Sequence, residues 1–365
     1  MIKLLYLVSS LDYSGAARKV ITLAVGLPRD QFEVAVAVLG GDAPWVHTLR
    51  QAGVTVNLLG WHRAVDVRPV LALRGVFRSF QPGVVHVWSR KALRSLAATI
   101  PHQEMHLLAS NLLKPGHPLA FWDRMLLRRA ATVVAFSAAE AQRYQRDGVS
   151  QERIAVIPPG LAARDTPTPD EPSPIGLPGG RFILCIGPLE MHKGFREAVW
   201  ALDILHYLYN DLHLVLVGNG SDRGRIGQFA QSVGASERVH FLGPLNDLTP
   251  VLLKSTVVWI PSRIQGGVYA TLEAMAAGRP VVATRSAGLD EIVVDGVTGY
   301  LIKPGDKAGL ARKTRLLLDD PSLAARLGEA GRRRVHDHFP AGRMVSACAK
   351  LYSDANPARI HTVST

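Results

Sequence analysis

Lys193 is the first side chain whose place in the sequence suggests chemistry. It follows an apolar run, FILCIG, that ends at Gly187, and it stands in the segment PLEMHKGF, where a helix begins. A lysine at a helix entrance reaches an anion as a point charge and stabilises the negative charge of a departing phosphate. The alternative is a lysine that only faces water, as most lysines do. Lys193 is therefore a candidate catalytic residue that acts on a diphosphate leaving group.

Glycines follow two other apolar runs. Gly15 opens a helix after the first run, in SSLDYSGAARKV, and Gly218 follows LVLV. A glycine at such a place lets backbone N–H groups approach an anion at the positive end of a helix, although a glycine that only makes the turn is equally compatible with Gly15. The dinucleotide spacing G-x-G-x-x-G is not met after Gly218, because Gly224 comes one residue late. We predict that Gly15, Gly187 and Gly218 lie next to a bound nucleotide.

The elements that must position these residues are short apolar runs that alternate with helix-like segments, which is typical of βαβ units and parallel sheets. The apolar character of the runs indicates that helices cover both faces of each sheet. In such sheets ligands bind at the carboxyl ends of the strands, where the candidate residues stand. The predicted strands cover residues 3–8, 32–39, 54–59, 84–87, 106–109 and 132–136, then 182–186, 212–217, 239–242, 257–260 and 281–283.

A proline-rich passage divides the chain. At 365 residues the chain is too long for one ordinary core, and prolines between Gly160 and Gly180 interrupt the alternation. We predict an α/β protein with two doubly wound parallel-sheet domains that face a cleft. The domains cover residues 1–165 and 181–339, with a linker at 166–180. A helix at about 340–355 is expected to pack back on the first domain, before a loose tail at 356–365.

Composition narrows the function classes. No uninterrupted apolar run reaches the length of about 18 residues that a membrane span needs. Two cysteines, one of them Cys185 in an apolar run, suit a reducing cytoplasm and exclude a Cys-based zinc site, and we predict neither a metal nor a cofactor. The net charge of +12 is compatible with nucleic acid, anionic lipid or a phosphorylated ligand. The basic residues are dispersed and no recognition motif is found, so nucleic acid is not a predicted partner.

The segment VVWIPSRIQGGVYATLEAMAAGRPVVATRSAGLDEIVVDGVTGYLIKPGD, residues 257–306, resembles the nucleotide-binding signature of family 4 (group 1) retaining glycosyltransferases of the GT-B type. In that signature two glutamates, with seven residues between them, flank a glycine turn. The resemblance extends from Gly15 to RRRVHDHF and implies two Rossmann-like domains. It implies that Glu273 holds the ribose hydroxyls and that Gln265 contacts the donor sugar. The turn of Gln265, Gly266 and Gly267 offers backbone donors, and a carboxylate accepts from two vicinal hydroxyls at once.

Two positions depart from the family pattern. Pro188 stands where the family usually has an arginine that pairs with the lysine on the diphosphate, and proline brings neither charge nor N–H. Gln265 replaces a glutamate, which removes a negative charge near the anomeric centre. Such a loss costs on the order of 2 to 4 kcal/mol of transition-state stabilisation. Arg223, Arg225 and Arg263 are candidates to restore the missing positive charge.

The first domain is expected to contribute the acceptor side. Family members often carry a histidine at the end of the fourth strand, and the stretch VVHVWSRKAL retains His86. Two interpretations of His86 remain open. It polarises a hydroxyl or contacts the donor, or it is a buried histidine satisfied by the backbone.

The segment HPLAFWDRMLLRRAA, residues 117–131, mixes aromatic residues with arginines. Two interpretations remain open. One is an amphipathic helix on an anionic membrane surface, and the other is a helix packed on the sheet with its arginines in water. The membrane interpretation would place a cytoplasmic protein peripherally at the inner membrane face.

The resemblance implies metal-independent, retaining transfer of a sugar from a nucleotide-diphosphate donor to a glycan or lipid-linked acceptor. The two departures motivate a rival hypothesis, a catalytically weakened sugar-nucleotide-binding pseudoenzyme or scaffold in glycan assembly. A sugar-nucleotide epimerase fits the signature less well. A dehydrogenase fits least, because no G-x-G-x-x-G follows a strand.

Overall fold

The computed structural model describes residues 1–61, 68–99, 105–113, 117–162, 176–264, 266–286 and 288–355. The chain divides into two compact units, Met1–Gly160 with Ala341–Thr365, and Leu161–Pro340. Most of the predicted linker and all of the predicted tail lie outside the described residues.

The first unit is built on one parallel sheet. Its strands are β1 (Ile2–Val8), β2 (Phe32–Val38), β3 (Thr55–Leu58), β4 (Val84–Val87), β5 (His106–Ser110), β6 (Thr132–Ala135) and β7 (Ile154–Val156). They lie in the order β3-β2-β1-β4-β5-β6-β7, with every neighbouring pair parallel. Its helices are α1 (Gly15–Gly26), α2 (Pro44–Gln51), α3 (Arg68–Phe80), α4 (Arg90–Thr99), α5 (Phe121–Leu127), α6 (Ala138–Arg146) and α14 (Ala341–Asp354).

Strand β1 shows why both faces of this sheet are covered. Alternate side chains of a strand point to opposite faces. Leu4 and Tyr6 belong to one apolar cluster, and Leu5 and Leu7 belong to another. All four are fully buried, so the near-continuous apolar run in the sequence serves two cores at once.

Helix α14 returns to the first unit after the chain has formed the second. Met344, Cys348 and Tyr352 repeat every four residues and therefore share one face of the helix. All three are buried in the cluster that contains Tyr6, against α1 and the sheet.

The second unit is built on a six-stranded parallel sheet. Its strands are β8 (Arg181–Ile186), β9 (Leu212–Val217), β10 (Val239–Gly243), β11 (Val257–Ile260), β12 (Val281–Thr284) and β13 (Tyr300–Ile302). They lie in the order β10-β9-β8-β11-β12-β13. Its helices are α7 (Phe195–His206), α8 (Arg223–Ser232), α9 (Thr249–Lys254), α10 (Val268–Ala276), α11 (Leu289–Ile292), α12 (Lys307–Asp319) and α13 (Pro321–His338).

Helix α5 is the described helix within residues 117–131, and it packs differently from an ordinary amphipathic helix. It buries Asp123 and Leu127. Phe121, Trp122 and Met125 are exposed by 68%, 64% and 42%. The helix is therefore held to the unit through the Asp123 carboxylate and two leucines, Leu126 and Leu127, rather than through its aromatic side chains. Within the described ranges, no helix combines the length and the apolar content that a bilayer crossing requires.

Candidate functional site

Three turns meet at the carboxyl edge of the sheet in the second unit. They follow β8, β9 and β11, which are neighbours in the order β9-β8-β11 and run parallel. Backbone hydrogen bonds join them, because the Leu189 N–H donates to the Asn219 carbonyl (3.0 Å) and the Arg263 N–H donates to the His192 carbonyl (2.9 Å). The strand order thus brings together His192 and Arg263, which lie 71 positions apart in the sequence.

Glycines allow these turns to approach so closely. A Cβ on Gly218 would collide with the carbonyl oxygen of Gly187, and a Cβ on Gly194 would collide with that of Pro261. Gly194 also has a φ of 74°, which disfavours other residues. Gly187 and Gly218, predicted separately from the sequence, are therefore in contact.

Lys193 lies against the glycine turn of the signature. Its Nζ is 2.5 Å from the place where a Cβ on Gly266 would stand. Burial lowers the pKa of Lys193, and the nearby Glu190 carboxylate opposes that effect. Because a desolvated ammonium gains from an anionic partner, this position suits a phosphate between the amine and the backbone N–H groups of the turn.

Helix α10 carries Glu273 into the interior. Gly267 caps the helix in the left-handed conformation, with a φ of 84°, and every residue from Tyr269 to Ala276 is buried. Glu273 is only 6% exposed, so it is not a helix-surface charge. A carboxylate accepts hydrogen bonds through two oxygens, so Glu273 is of the right type to hold ribose hydroxyls.

The two departures differ in what the structure shows of them. Pro188 lies in the turn after β8, where its carbonyl accepts from the Glu190 N–H (2.8 Å). It contributes no charge there. Gln265 lies outside the described residues, although Ile264 and Gly266 on either side of it are described.

The remaining predicted site residues, Gly15 and His86, belong to the first unit. Gly15 is exposed and begins α1. The hydroxyl of Ser14 accepts from the Ala17 N–H (3.3 Å) and its carbonyl accepts from the Arg18 N–H (3.0 Å), so Ser14 caps the helix.

His86 is buried in the first unit with no exposed surface. Its Nδ1 is 2.8 Å from the Tyr352 hydroxyl, and its Nε2 is 3.1 Å from the Ser110 hydroxyl. Burial lowers the pKa of His86 to about 3. The ring is thus neutral and satisfied by side-chain hydroxyls rather than by the backbone. A contact between His86 and a substrate stays a prediction, and this geometry gives it no support.

Lys19, on α1, is a partly desolvated cation of the first unit that sequence reasoning missed. Its Nζ is 3.7 Å from the centroid of the Phe136 ring. Burial lowers the pKa of Lys19 to about 8, although the Glu140 carboxylate opposes the shift. The only sequence signal was a lysine one turn after Gly15, and nothing there indicated that the helix would place it over an aromatic ring.

No cluster of three or more histidine, cysteine, aspartate or glutamate side chains that could hold a metal ion occurs in the described part of the chain.

Two family models match the chain, one on each side of the proline-rich passage. "Glycosyl transferases group 1" matches residues 169–334, and "Glycosyltransferase Family 4" matches residues 13–164. A glycogen synthase of Mycobacterium tuberculosis is 27% identical over 319 residues, which is 81% of this chain and 76% of that protein. An N-acetyl-alpha-D-glucosaminyl L-malate synthase of Bacillus anthracis is 34% identical over 144 residues, 40% of this chain and 38% of that protein.

Solved structures share the fold. HepE of Anabaena, in complex with UDP and glucose, superposes with a TM-score of 0.84 at 22% identity, over 97% of this chain and 100% of that one. A sucrose-phosphate synthase of Thermosynechococcus elongatus gives a TM-score of 0.81 at 21% identity, over 96% and 98%. Two parallel-sheet domains and these likenesses establish the GT-B fold. The two matched family models show that this chain belongs to the group 1 glycosyltransferases.

Proposed function

We propose that the chain transfers a glycosyl group from a nucleotide-diphosphate sugar to a glycan or lipid-linked acceptor, with retention of configuration and without a metal ion. The observation that carries the proposal is the place of Lys193, whose amine lies against Gly266 where three turns meet. The solved HepE structures contain UDP and UDP-glucose, which supports a nucleotide-sugar donor here.

In the proposed reaction the bond between the anomeric carbon and the diphosphate oxygen breaks, and the acceptor oxygen bonds to that carbon from the same face. The acceptor proton passes to the departing diphosphate. Lys193 and the N–H groups of Gly266 and Gly267 stabilise the negative charge on the leaving group. Glu273 holds the ribose hydroxyls and so fixes the donor.

The test is a turnover screen with UDP-, GDP- and ADP-sugars, with and without EDTA. Lys193→Met should lower kcat by about a hundredfold or more, because it removes charge stabilisation of the leaving group. Glu273→Gln should mainly raise KM for the donor. An inverted anomeric product by NMR, or full loss of turnover with EDTA, would contradict the retaining or the metal-independent part of the proposal.

The second candidate is a sugar-nucleotide-binding protein with weakened catalysis, and the uncharged Pro188 favours it. Saturable donor binding without hydrolysis or transfer would support this candidate. Gln265→Glu separates the two functions further. If the chain is a weak transferase, restoring the carboxylate should raise kcat by a factor of tens or more without a matching change in nucleotide affinity.

We also propose that the surface around α5 contacts an anionic membrane, which would hold a cytoplasmic enzyme at the inner membrane face. Asp123 is the one acidic residue between positions 117 and 131. Its carboxylate is buried and accepts from Arg94 at 2.6 and 2.9 Å. The outward surface therefore presents Phe121 and Trp122 beside exposed arginines, which suits a lipid headgroup layer.

Vesicle sedimentation tests this contact. The chain should bind phosphatidylglycerol vesicles more strongly than phosphatidylcholine vesicles, and Phe121→Ser with Trp122→Ser should abolish the difference. Tyr207→Ser with Leu208→Ser is the matched control, because these residues of the second unit are 77% and 56% exposed. Equal or negligible binding of the wild-type chain to both vesicles would remove the proposal.

A further inference from the structure

A diphosphate leaving group needs more positive charge than Lys193 supplies. It carries more than one negative charge, and a single ammonium balances only one of them. Pro188 adds none. If the second unit binds a nucleoside diphosphate, another cation must lie within reach of the same turn.

Three arginines in the turns and first helical turns after β9 and β11 are the candidates. The Arg223 guanidinium lies over the Phe241 ring, 4.9 Å from its centroid. Arg225 is 67% exposed, with Nη1 3.7 Å from the Asp222 carboxylate. Neither has a described contact with the turn that carries Lys193.

Arg263 differs because its backbone is hydrogen-bonded to the turn that carries Lys193. Its N–H donates to the carbonyl of His192, the residue before Lys193. Its side-chain Nε lies 2.6 Å from the Glu197 carboxylate, which is only 10% exposed, while 51% of the Arg263 side chain is accessible. Glu197 stands in the first turn of α7, directly after the turn that carries Lys193. The carboxylate therefore fixes the guanidinium from one edge.

A guanidinium has five N–H donors in a planar fork, so one contact through Nε leaves donors for a second anion. A buried carboxylate restricts the arginine rotamer before any ligand arrives, which lowers the entropy cost of binding. The arrangement is that of a pre-positioned phosphate-binding arginine rather than of a simple surface ion pair.

We propose that Arg263, positioned by Glu197, is the second cation that binds the diphosphate of the donor beside Lys193, in place of the charge that Pro188 lacks. This inference rests on the proposed function, since it assigns a further residue to the same site.

Calorimetric titration with UDP, GDP and ADP, and with the matching monophosphates, tests the assignment. For the diphosphate that binds the wild-type chain best, Arg263→Met should weaken binding by about tenfold or more, and should weaken the monophosphate much less. Arg225→Met removes the same charge from a neighbouring helix and should change neither affinity by more than about twofold.

A rescue makes the test specific. Pro188→Arg should restore diphosphate affinity in the Arg263→Met background and add little to the wild-type chain, because the two arginines would serve the same ligand. Arg263→Met with Glu197→Gln avoids an unpaired buried carboxylate, and thermal unfolding checks that each variant is folded.

Unchanged diphosphate affinity in folded Arg263→Met would overturn this inference but not the proposed function. A loss of diphosphate affinity in Arg225→Met, and not in Arg263→Met, would do the same. A wild-type chain that binds none of the three diphosphates would overturn the proposed function and this inference with it.

Discussion

Gly266 is the residue at which the proposed site can be blocked without removing any charge. A Cβ there would stand 2.5 Å from the Lys193 Nζ, and the φ of 146° also disfavours alanine. Gly266→Ala should displace the amine and lower diphosphate affinity by about tenfold or more, with a stability loss of about 1 kcal/mol. Calorimetry and urea unfolding measure the two effects separately.

Gly305→Ala is the control for backbone strain. Gly305 has a φ of 77°, and nothing lies within 4 Å of the added Cβ. Gly305→Ala should lose similar stability and keep its affinity for the diphosphate. Equal diphosphate binding by the two variants would mean that the amine of Lys193 does not need its present place beside the turn.

At the scale of elements, most strands could be predicted from the sequence because they form apolar runs bounded by polar or turn residues. All six strands expected in the first half, and all five in the second, are present within one residue of the expected bounds. The missed strands, β7 and β13, have three residues each and lie at sheet edges. A three-residue edge strand carries too short a pattern to be separated from a loop.

The partners of His86 could not be predicted, because they come from distant elements. Ser110 is on the neighbouring strand, and Tyr352 lies 266 residues away on α14. The strand-end position in the sequence left two roles open, a reacting histidine and a buried histidine satisfied by the backbone. The structure shows a buried imidazole that joins the sheet to the returning helix through the hydroxyls of Ser110 and Tyr352.

This buried histidine predicts an acid sensitivity of the first unit. The pKa of His86 is about 3 in the folded chain, against about 6.5 when unfolded. Between these values the unfolded chain binds one more proton, so the contribution of His86 to stability is complete above about pH 6.5 and falls by about 1.4 kcal/mol per unit as the pH decreases. His86→Gln should show a shallower loss in urea unfolding between about pH 6.5 and pH 4.5.

His336→Gln is the control, because it removes a histidine whose side chain is 87% exposed on α13. Parallel stability curves for the wild-type chain and His86→Gln would show that His86 does not remain neutral in the folded state.

For the whole molecule, the predictable part was the fold class and the family, because both depend on patterns that repeat along the chain. The alternation of strands and helices predicted two parallel-sheet domains, and the signature of residues 257–306 predicted a glycosyltransferase. The contact of Lys193 with Gly266 and the pairing of Arg263 with Glu197 depend on strand order and turn geometry. Periodicity carries no information on either.

Because the chain forms two units, the unit that a bound nucleotide stabilises can be identified. Each unit has its own sheet and its own pair of apolar clusters, so hydrogen exchange can report on each separately. At about a hundred times Kd, a bound diphosphate stabilises the unit that holds it by about 2.7 kcal/mol. Exchange should therefore slow most in residues 187–194, 218–220 and 261–267 of the second unit. Lys193→Met at the same ligand concentration should show little of this protection. Protection confined to the first unit would place the nucleotide at the Gly15 turn instead, and would remove Lys193 and Glu273 from the donor site.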